Sequence, residues 1–206
     1  MKKIGLITAA GLSSRMGDFK PLMPLCGRTV IENTIISLLG ADVSEAVVVT
    51  GREAERIRQQ LSSLPVSFVH NAQYSTTDMY TSICLGFRHI LEHTDAEAVY
   101  LLPGDMPAIS REVLLGTAAM LEQGDYDIIF PSDGTHRLHP PIIARHCLPR
   151  FLQYVGEDGL RGAFRLFEGR IGYYITNDEG CTIDIDTPED YQKLLQYVAG
   201  RQGGVL

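Results

Sequence analysis

Between Gly11 and Lys20 the chain crowds together Gly11, Ser13, Ser14, Arg15, Gly17 and Lys20, directly after a short apolar run. Glycines let a loop turn its N–H groups inward, hydroxyls add donors, and cations supply the charge that phosphate oxygens require. The segment Ala9, Ala10, Gly11, Leu12, Ser13, Ser14, Arg15 with Lys20 is therefore read as a nucleotide- and phosphate-binding loop. A strand-to-helix turn with two solvated cations is the competing reading, and the full Ala-Ala-Gly-x-Ser-Ser-Arg-Met-Gly-x-x-Lys pattern weighs against it. The loop lacks the Gly-Lys-Ser/Thr ending of a P-loop, and Gly11 and Gly17 are too far apart for Gly-x-Gly-x-x-Gly.

Two further groups of residues could act with it. In Pro103-Gly104-Asp105-Met106-Pro107 one carboxylate sits between residues that fix the backbone. That suits a hard cation such as Mg²⁺, which bridges carboxylates to phosphates, although the same composition also makes ordinary turns. Asp184 and Asp186 lie two apart on a predicted strand, facing one side, and either could add a metal ligand. The run from His70 to Ser82 is rich in amides, hydroxyls and carboxylates, so Asn71, Asp78 and Ser82 are read as contacts to a base and ribose. His139 and Pro140 belong to an acceptor pocket. His136, His139 and His146 lack the spacing of a zinc site, and Met79, Ile83, Phe87 and Ile90 read as the buried stripe of a helix.

The elements that must position these groups follow from periodicity. Apolar runs at Ile4–Thr8, Ala46–Thr50, Val66–Val69, Ala98–Leu102 and Asp127–Phe130 alternate with helical spacing at Ala54–Ser62, Met79–Leu91 and Arg111–Glu122. An earlier helix starts at a Thr29/Glu32 capping box and stops at Gly40. This β-α alternation predicts an α/β fold, a mainly parallel sheet covered on both faces, with ligands beyond the carboxyl ends of the strands. After Pro131 a polar stretch, two short helical pieces and the runs Ile171–Thr176 and Cys181–Ile185 read as an insertion of hairpin character. Thr187-Pro188-Glu-Asp190 opens a last helix expected to end at Ala199, leaving 200–206 as a flexible tail.

The 206 residues, 45% hydrophobic and 21% charged, suit one domain with a full core. A formal charge of -7 argues against nucleic acid or an anionic membrane as partner. Without a membrane-length apolar run or a signal-peptide pattern, a cytoplasmic protein is expected. Cys26, Cys84, Cys147 and Cys181 are scattered, as free thiols are.

Ala9-Ala10-Gly11-Leu-Ser-Ser-Arg-Met-Gly17 with Lys20, then Pro24-Leu25 and Gly27-Arg-Thr-Val-Ile-Glu32, resembles the amino-terminal signature of the molybdenum-cofactor nucleotidyltransferases, the MobA-like NTP transferases. Gly104-Asp105-Met106-Pro107, His139-Pro140-Pro141, Gly159-Leu-Arg-Gly162 and Asp184-Ile-Asp-Thr-Pro-Glu-Asp190 are similar to their later motifs, in the same order. The resemblance implies a Rossmann-like three-layer αβα sandwich of the nucleotide-diphospho-sugar transferase type, formed by a single domain over 1–199. It implies Mg²⁺ dependence and transfer of a nucleoside monophosphate with release of pyrophosphate. Arg15, Lys20 and Asp105 would be catalytic, and Asp105 the metal ligand. The Ala-Ala-Gly form accompanies cytidylyltransferases, pointing to CTP, with molybdopterin or molybdenum cofactor as acceptor and transient contact with a molybdenum-dependent hydroxylase. Thr8 and Thr77-Asp78-Met79 depart from the family pattern. Three alternatives therefore stay open: GTP, another phosphorylated acceptor such as a sugar phosphate, or a non-catalytic delivery chaperone.

Overall fold

Seven strands form one twisted sheet in the computed structural model, which describes residues 1–11 and 19–202. In chain order the elements are β1 (Lys3–Ala9), a short hairpin of β2 (Pro24–Leu25) and β3 (Arg28–Thr29), α1 (Val30–Leu39), β4 (Val43–Thr50), α2 (Ala54–Gln60), β5 (Val66–His70), α3 (Met79–His93), β6 (Ala98–Pro103), α4 (Arg111–Glu122), β7 (Ile128–Ser132), β8 (Ile142–Ala144), α5 (Leu148–Gln153), α6 (Gly159–Arg165), β9 (Ile171–Ile175) and α7 (Pro188–Gln202). The sheet order is β5-β4-β1-β6-β8-β7-β9. The pairs β5/β4, β4/β1, β1/β6 and β7/β9 are parallel, and β8 runs antiparallel between β6 and β7.

Alternating side chains of each strand feed two cores. On one face Ile7 and Val48 pack with Ile31, Ile35 and Leu38 of α1, Ile57 of α2 and Val113 and Leu114 of α4. On the other, Leu6 and Val49 meet Ile83, Phe87 and Ile90 of α3, Phe151 of α5 and Ala163 and Phe164 of α6. A third cluster, Leu25, Val30, Ala108, Ile185 and Leu194, fixes α7 against the β2–β3 hairpin. The expected three-layer αβα architecture is therefore present. The chain leaves β1 toward β4 and β5 and then returns to β6 on the other side of β1, which creates a crevice at the carboxyl ends of β1 and β6.

Local signals explain the boundaries. Thr29 and Glu32 form the capping box of α1, and Gly40 ends it; Thr187 and Asp190 do the same at the start of α7. Three expectations need correction. The run Cys181–Ile185 is not a strand: Glu179–Cys181 is a 3-10 turn, and Ile183 and Ile185 are covered by the third cluster instead of pairing. The hairpin of this region is β7–β8. Helix α7 continues through Gly200 to Gln202, three residues past the expected end. Glycine weakens a helix by about 1 kcal/mol relative to alanine without having to stop it.

Candidate functional site

The crevice at the ends of β1 and β6 opens into a cavity of about 480 Å³, within the roughly 300–1,000 Å³ typical of small-molecule sites. Ala9, Ala10 and Gly11 form its floor where β1 ends, and Gly104 and Asp105 follow β6. The two strand ends are joined because the Gly104 N–H donates to the Thr8 carbonyl at 3.0 Å, while the Thr34 hydroxyl of α1 donates to the Gly104 carbonyl at 3.4 Å.

Lys20 enters from a 3-10 turn, Lys20–Leu22, anchored by buried Pro21. Its ammonium lies 2.6 Å from Asp186 Oδ1 and 3.7 Å from Asp105 Oδ2. The Lys20 side chain is 12% exposed, that of Asp105 19% and that of Asp186 48%. Burial pushes the Asp105 carboxyl above the usual carboxylate range; Lys20 opposes this, and the negative charges of Asp184 and Asp186 reinforce it. The predicted strand for Asp184 and Asp186 is absent, yet both residues line the cavity with Asp105, because Ile185, which stands between them in sequence, is buried in the third cluster and leaves the two acids at the rim.

Three carboxylates on one wall form a hard oxygen donor set, and the mutual repulsion felt at Asp105 is what a divalent cation would relieve. The donors fit such an ion. Among the described residues, the metal-capable side chains that gather within 4.8 Å are instead Asp127, His146 and Cys147. That group is level with the opposite end of β6, near Ala98. Arg170 occupies both Asp127 carboxylate oxygens, at 2.9 and 3.1 Å, and burial pushes the Cys147 thiol up to about 12, so the chemistry there is that of an ion pair. The three histidines separate: His136 pairs with Asp133, His146 with Asp127, and His139 lines the cavity.

The other wall comes from the loop between β5 and α3. Asp78 caps α3, its Oδ1 accepting from the Thr81 N–H and hydroxyl at 2.9 and 2.8 Å, and it lines the cavity with Thr77 and Ser82. Asn71 is placed differently from its expected role. It is buried behind this wall, donating to Thr77 at 3.1 Å and Ser82 at 3.0 Å and accepting from the Gln73 N–H at 3.0 Å. Met79 is no part of the buried stripe: as the first residue of α3 it is 62% exposed and lines the cavity, whereas Ile83, Phe87 and Ile90 are buried. His139 also lines the cavity; the protein packed around its ring lowers its pKa, and Asp184 pulls the other way. Pro140 is buried behind it, joined by a cis peptide. Leu12, Ser13, Ser14 and Arg15 lie outside the described residues.

Sequence reading missed several supports. Tyr74, Thr8, Pro21 and Pro103 also line the cavity. Gly51 allows the loop to close: a Cβ there would stand 2.6 Å from Tyr74 Cβ and 2.7 Å from the Ala10 carbonyl oxygen. Asp178 ties the Asp105 loop to the segment leading to Asp184. It accepts from the Ser110 N–H at 2.9 Å, the Gly180 N–H at 3.1 Å and the Tyr197 hydroxyl at 2.9 Å. Burial would raise its pKa, but these hydrogen bonds outweigh that and hold the carboxyl below its usual range. A glycine after a strand hints at Gly51, whereas nothing local marks Asp178, whose partner Ser110 is distant in sequence.

Comparison with known proteins agrees with this geometry. The model of the MobA-like NTP transferase domain matches residues 5–171. The molybdenum cofactor cytidylyltransferase of Escherichia coli (strain K12) is 27% identical over 90% of this chain and 92% of its own length. A probable molybdenum cofactor guanylyltransferase of Natranaerobius thermophilus is 25% identical over 94% and 95%. The solved structure of a nucleotidyl transferase from Methanothermobacter superposes with a TM-score of 0.81 at 23% identity, covering 97% of this chain and 99% of that one. A family match over most of the chain, together with the phosphate-type crevice and its acidic wall, assigns the chain to the MobA-like NTP transferase family of nucleotidyltransferases.

Proposed function

We propose that the protein transfers CMP from CTP to the terminal phosphate of molybdopterin or molybdenum cofactor, releasing pyrophosphate. The observation that supports this reading is Asp105 at the end of β6, sharing the Lys20 ammonium with Asp186 and lining one cavity with Asp184 and the Ala9-Ala10-Gly11 end of β1. The cytidylyl choice is supported by the Ala-Ala-Gly form of the loop and by the Escherichia coli relative. The Natranaerobius relative supports GTP as the second reading.

A phosphate nucleophile is already ionised near neutral pH, so no general base is required. The work of the chain is alignment and charge neutralisation. The loop from Ala9 to Arg15 receives the triphosphate, with Arg15 and Lys20 on the charge that moves to pyrophosphate. Asp105, with Asp184 or Asp186, would hold Mg²⁺, which supplies charge neutralisation at the reacting phosphates. Thr77, Asp78 and Ser82 face the base and ribose, with Asn71 holding two of them in place, and His139 and Pro140 shape the acceptor side. The oxygen formed on the pyrophosphate leaving group needs no proton from the protein. The test is pyrophosphate release with Mg²⁺ and CTP, GTP, ATP or UTP, with and without molybdopterin or its molybdenum-loaded form. Turnover requiring CTP and the pterin is expected. Nucleotide binding without turnover on any pterin would overturn the acceptor, and turnover with GTP alone would overturn the nucleotide.

A further inference from the structure

Helix α3 lines the cavity with its first turns, through Met79 and Ser82, and carries His89 and His93 toward its other end. Spaced by four, the two imidazoles share one face, and their ring centres lie 4.6 Å apart with the planes inclined by 52°. A divalent ion bound to two imidazole nitrogens stands about 3.2 Å from each ring centre, so ligand angles from square to tetrahedral set the centres about 4.5–5.2 Å apart. The pair is already at chelating distance. Ser67 Oγ of β5 lies 3.3 Å from His89 Nε2. By accepting the proton there it leaves the lone pair on Nδ1, and a partner on the far nitrogen is what orients a ligating imidazole. Burial lowers the His89 pKa and His93 lowers it further, against the charges of Glu92 and Glu45. The ring is therefore neutral at neutral pH, as ligation requires.

Negative charge stands beside the pair. Glu92 Oε2 is 3.8 Å from His93 Nε2. Glu45 belongs to the same face of the sheet, since it alternates along β4 with Val47 and Val49, which pack under α3, and Val47 is the cross-strand partner of Ser67. We propose that His89 and His93, with Glu92 and Glu45 beside them, form a second cation site for a transition metal such as Zn²⁺, Ni²⁺ or Cu²⁺, chemically distinct from the carboxylate wall of the crevice. Imidazole suits these ions, whereas carboxylates suit Mg²⁺. The bound ion spans one turn of α3 and, through Ser67, ties that turn to β5, the outermost strand of the sheet. At Asp127, His146 and Cys147 Arg170 takes both carboxylate oxygens; here the rings contact each other, Ser67 and Glu92. The site stands apart from the transfer reaction, because Met79 and His93 are about 20 Å apart along the helix axis.

Cu²⁺ is the probe, because it binds nitrogen ligands most tightly of the divalent series and its electron spin-echo modulation counts equatorial imidazoles. The parent protein, His89→Gln and His93→Ala are compared, each carrying Cys26→Ser so that the exposed thiol does not reduce the copper, with excess Mg²⁺ present to fill carboxylate sites. The parent should bind one Cu²⁺ through two imidazoles. Both variants should lose the two-imidazole signal and bind at least about tenfold more weakly, since the second ligand no longer acts at the high effective concentration that linkage provides. Saturating Zn²⁺ should raise the melting temperature of the parent and of neither variant. His93 is 59% exposed, so His93→Ala tests the site without disturbing the core. A two-imidazole signal that survives in either variant places the ion elsewhere and overturns the proposal. So does a parent whose Cu²⁺ is displaced by Mg²⁺, or one that binds Cu²⁺ no more tightly than His93→Ala.

Discussion

Asp105→Asn exchanges one carboxylate oxygen for an amide at nearly constant volume, in a side chain only 19% exposed. The attraction it removes, to an ammonium at 3.7 Å, is gross about 4 kcal/mol at an effective dielectric near 20. Against this stand the burial of the charge, of order several kcal/mol, and repulsion from Asp184 and Asp186. The balance is unfavourable to the charged form, since burial and the two neighbours raise the Asp105 pKa despite Lys20. Lys20 meanwhile keeps Asp186 at 2.6 Å. The variant should therefore be more stable than wild type without metal and nucleotide, by about 1 kcal/mol as is common when a functional site is relieved of strain. For a chain of this size that is about 2–4 °C in Tm. The sign of the pH dependence follows. A carboxyl with a raised folded-state pKa favours the fold when protonated, and that contribution is lost as pH rises through the folded value. Wild type and variant should melt together at the acid end and diverge toward neutral pH, with wild type the lower. Differential scanning fluorimetry in chelator across that range measures the gap, while pyrophosphate release should fall at least about a hundredfold. A variant that melts several degrees below wild type at neutral pH would refute the reasoning, because Asp105 would then be a net stabilising partner of Lys20.

Gly51→Ala places a methyl group 2.6 Å from Tyr74 Cβ and 2.7 Å from the Ala10 carbonyl oxygen. It should cost about 1–3 kcal/mol in urea denaturation and weaken nucleotide binding, since both neighbours line the cavity; an unchanged dissociation constant would show that the loop yields harmlessly. Asn71→Ala removes the shared partner of Thr77, Ser82 and the Gln73 N–H and should destabilise by about 1–3 kcal/mol, with KM for nucleotide raised more than kcat is lowered. Asp78→Ala deletes the α3 cap, costing about 1 kcal/mol, and should alter the ratio of CTP to GTP affinity if its carboxylate faces the base; an unchanged ratio removes it from base recognition.

Much of the frame was legible because it is local. The capping boxes at Thr29/Glu32 and Thr187/Asp190, and the apolar runs of β1, β4, β5, β6 and β7, are written within a few residues of where they act. That Lys20, Asp105, Asp78 and Ser82 line one cavity follows from the same kind of signal, because each stands in a loop, or at the start of a helix, that follows a predicted strand. What failed depended on distant partners. Ile183 and Ile185 have the two-residue period of a strand, but α7 and the β2–β3 hairpin bury them first. Met79 fits a helical stripe by spacing, but as the first residue of α3 it is exposed and lines the cavity. Asn71 has the chemistry of a ligand contact and spends it inside its own loop.

The third apolar cluster links these outcomes to the site. Asp105 and the Asp184/Asp186 pair are far apart in sequence, and no strand pairing brings the latter to the cavity. They arrive because Ile185 packs against Leu25, Val30 and Ala108 under α7, and because Asp178 fastens its segment to Ser110 at the start of α4 while Tyr197 of α7 donates to the same carboxylate. Gly180 permits this docking, since a Cβ there would lie 2.0 Å from the Ala108 carbonyl oxygen. The acidic wall is thus assembled from two loops by apolar packing and one half-buried carboxylate, with Lys20 reaching both from the β2 side. Apolar packing and the Asp178 hydrogen bonds bring the two loops together, and the Lys20 ammonium then meets two of the three carboxylates, Asp105 and Asp186.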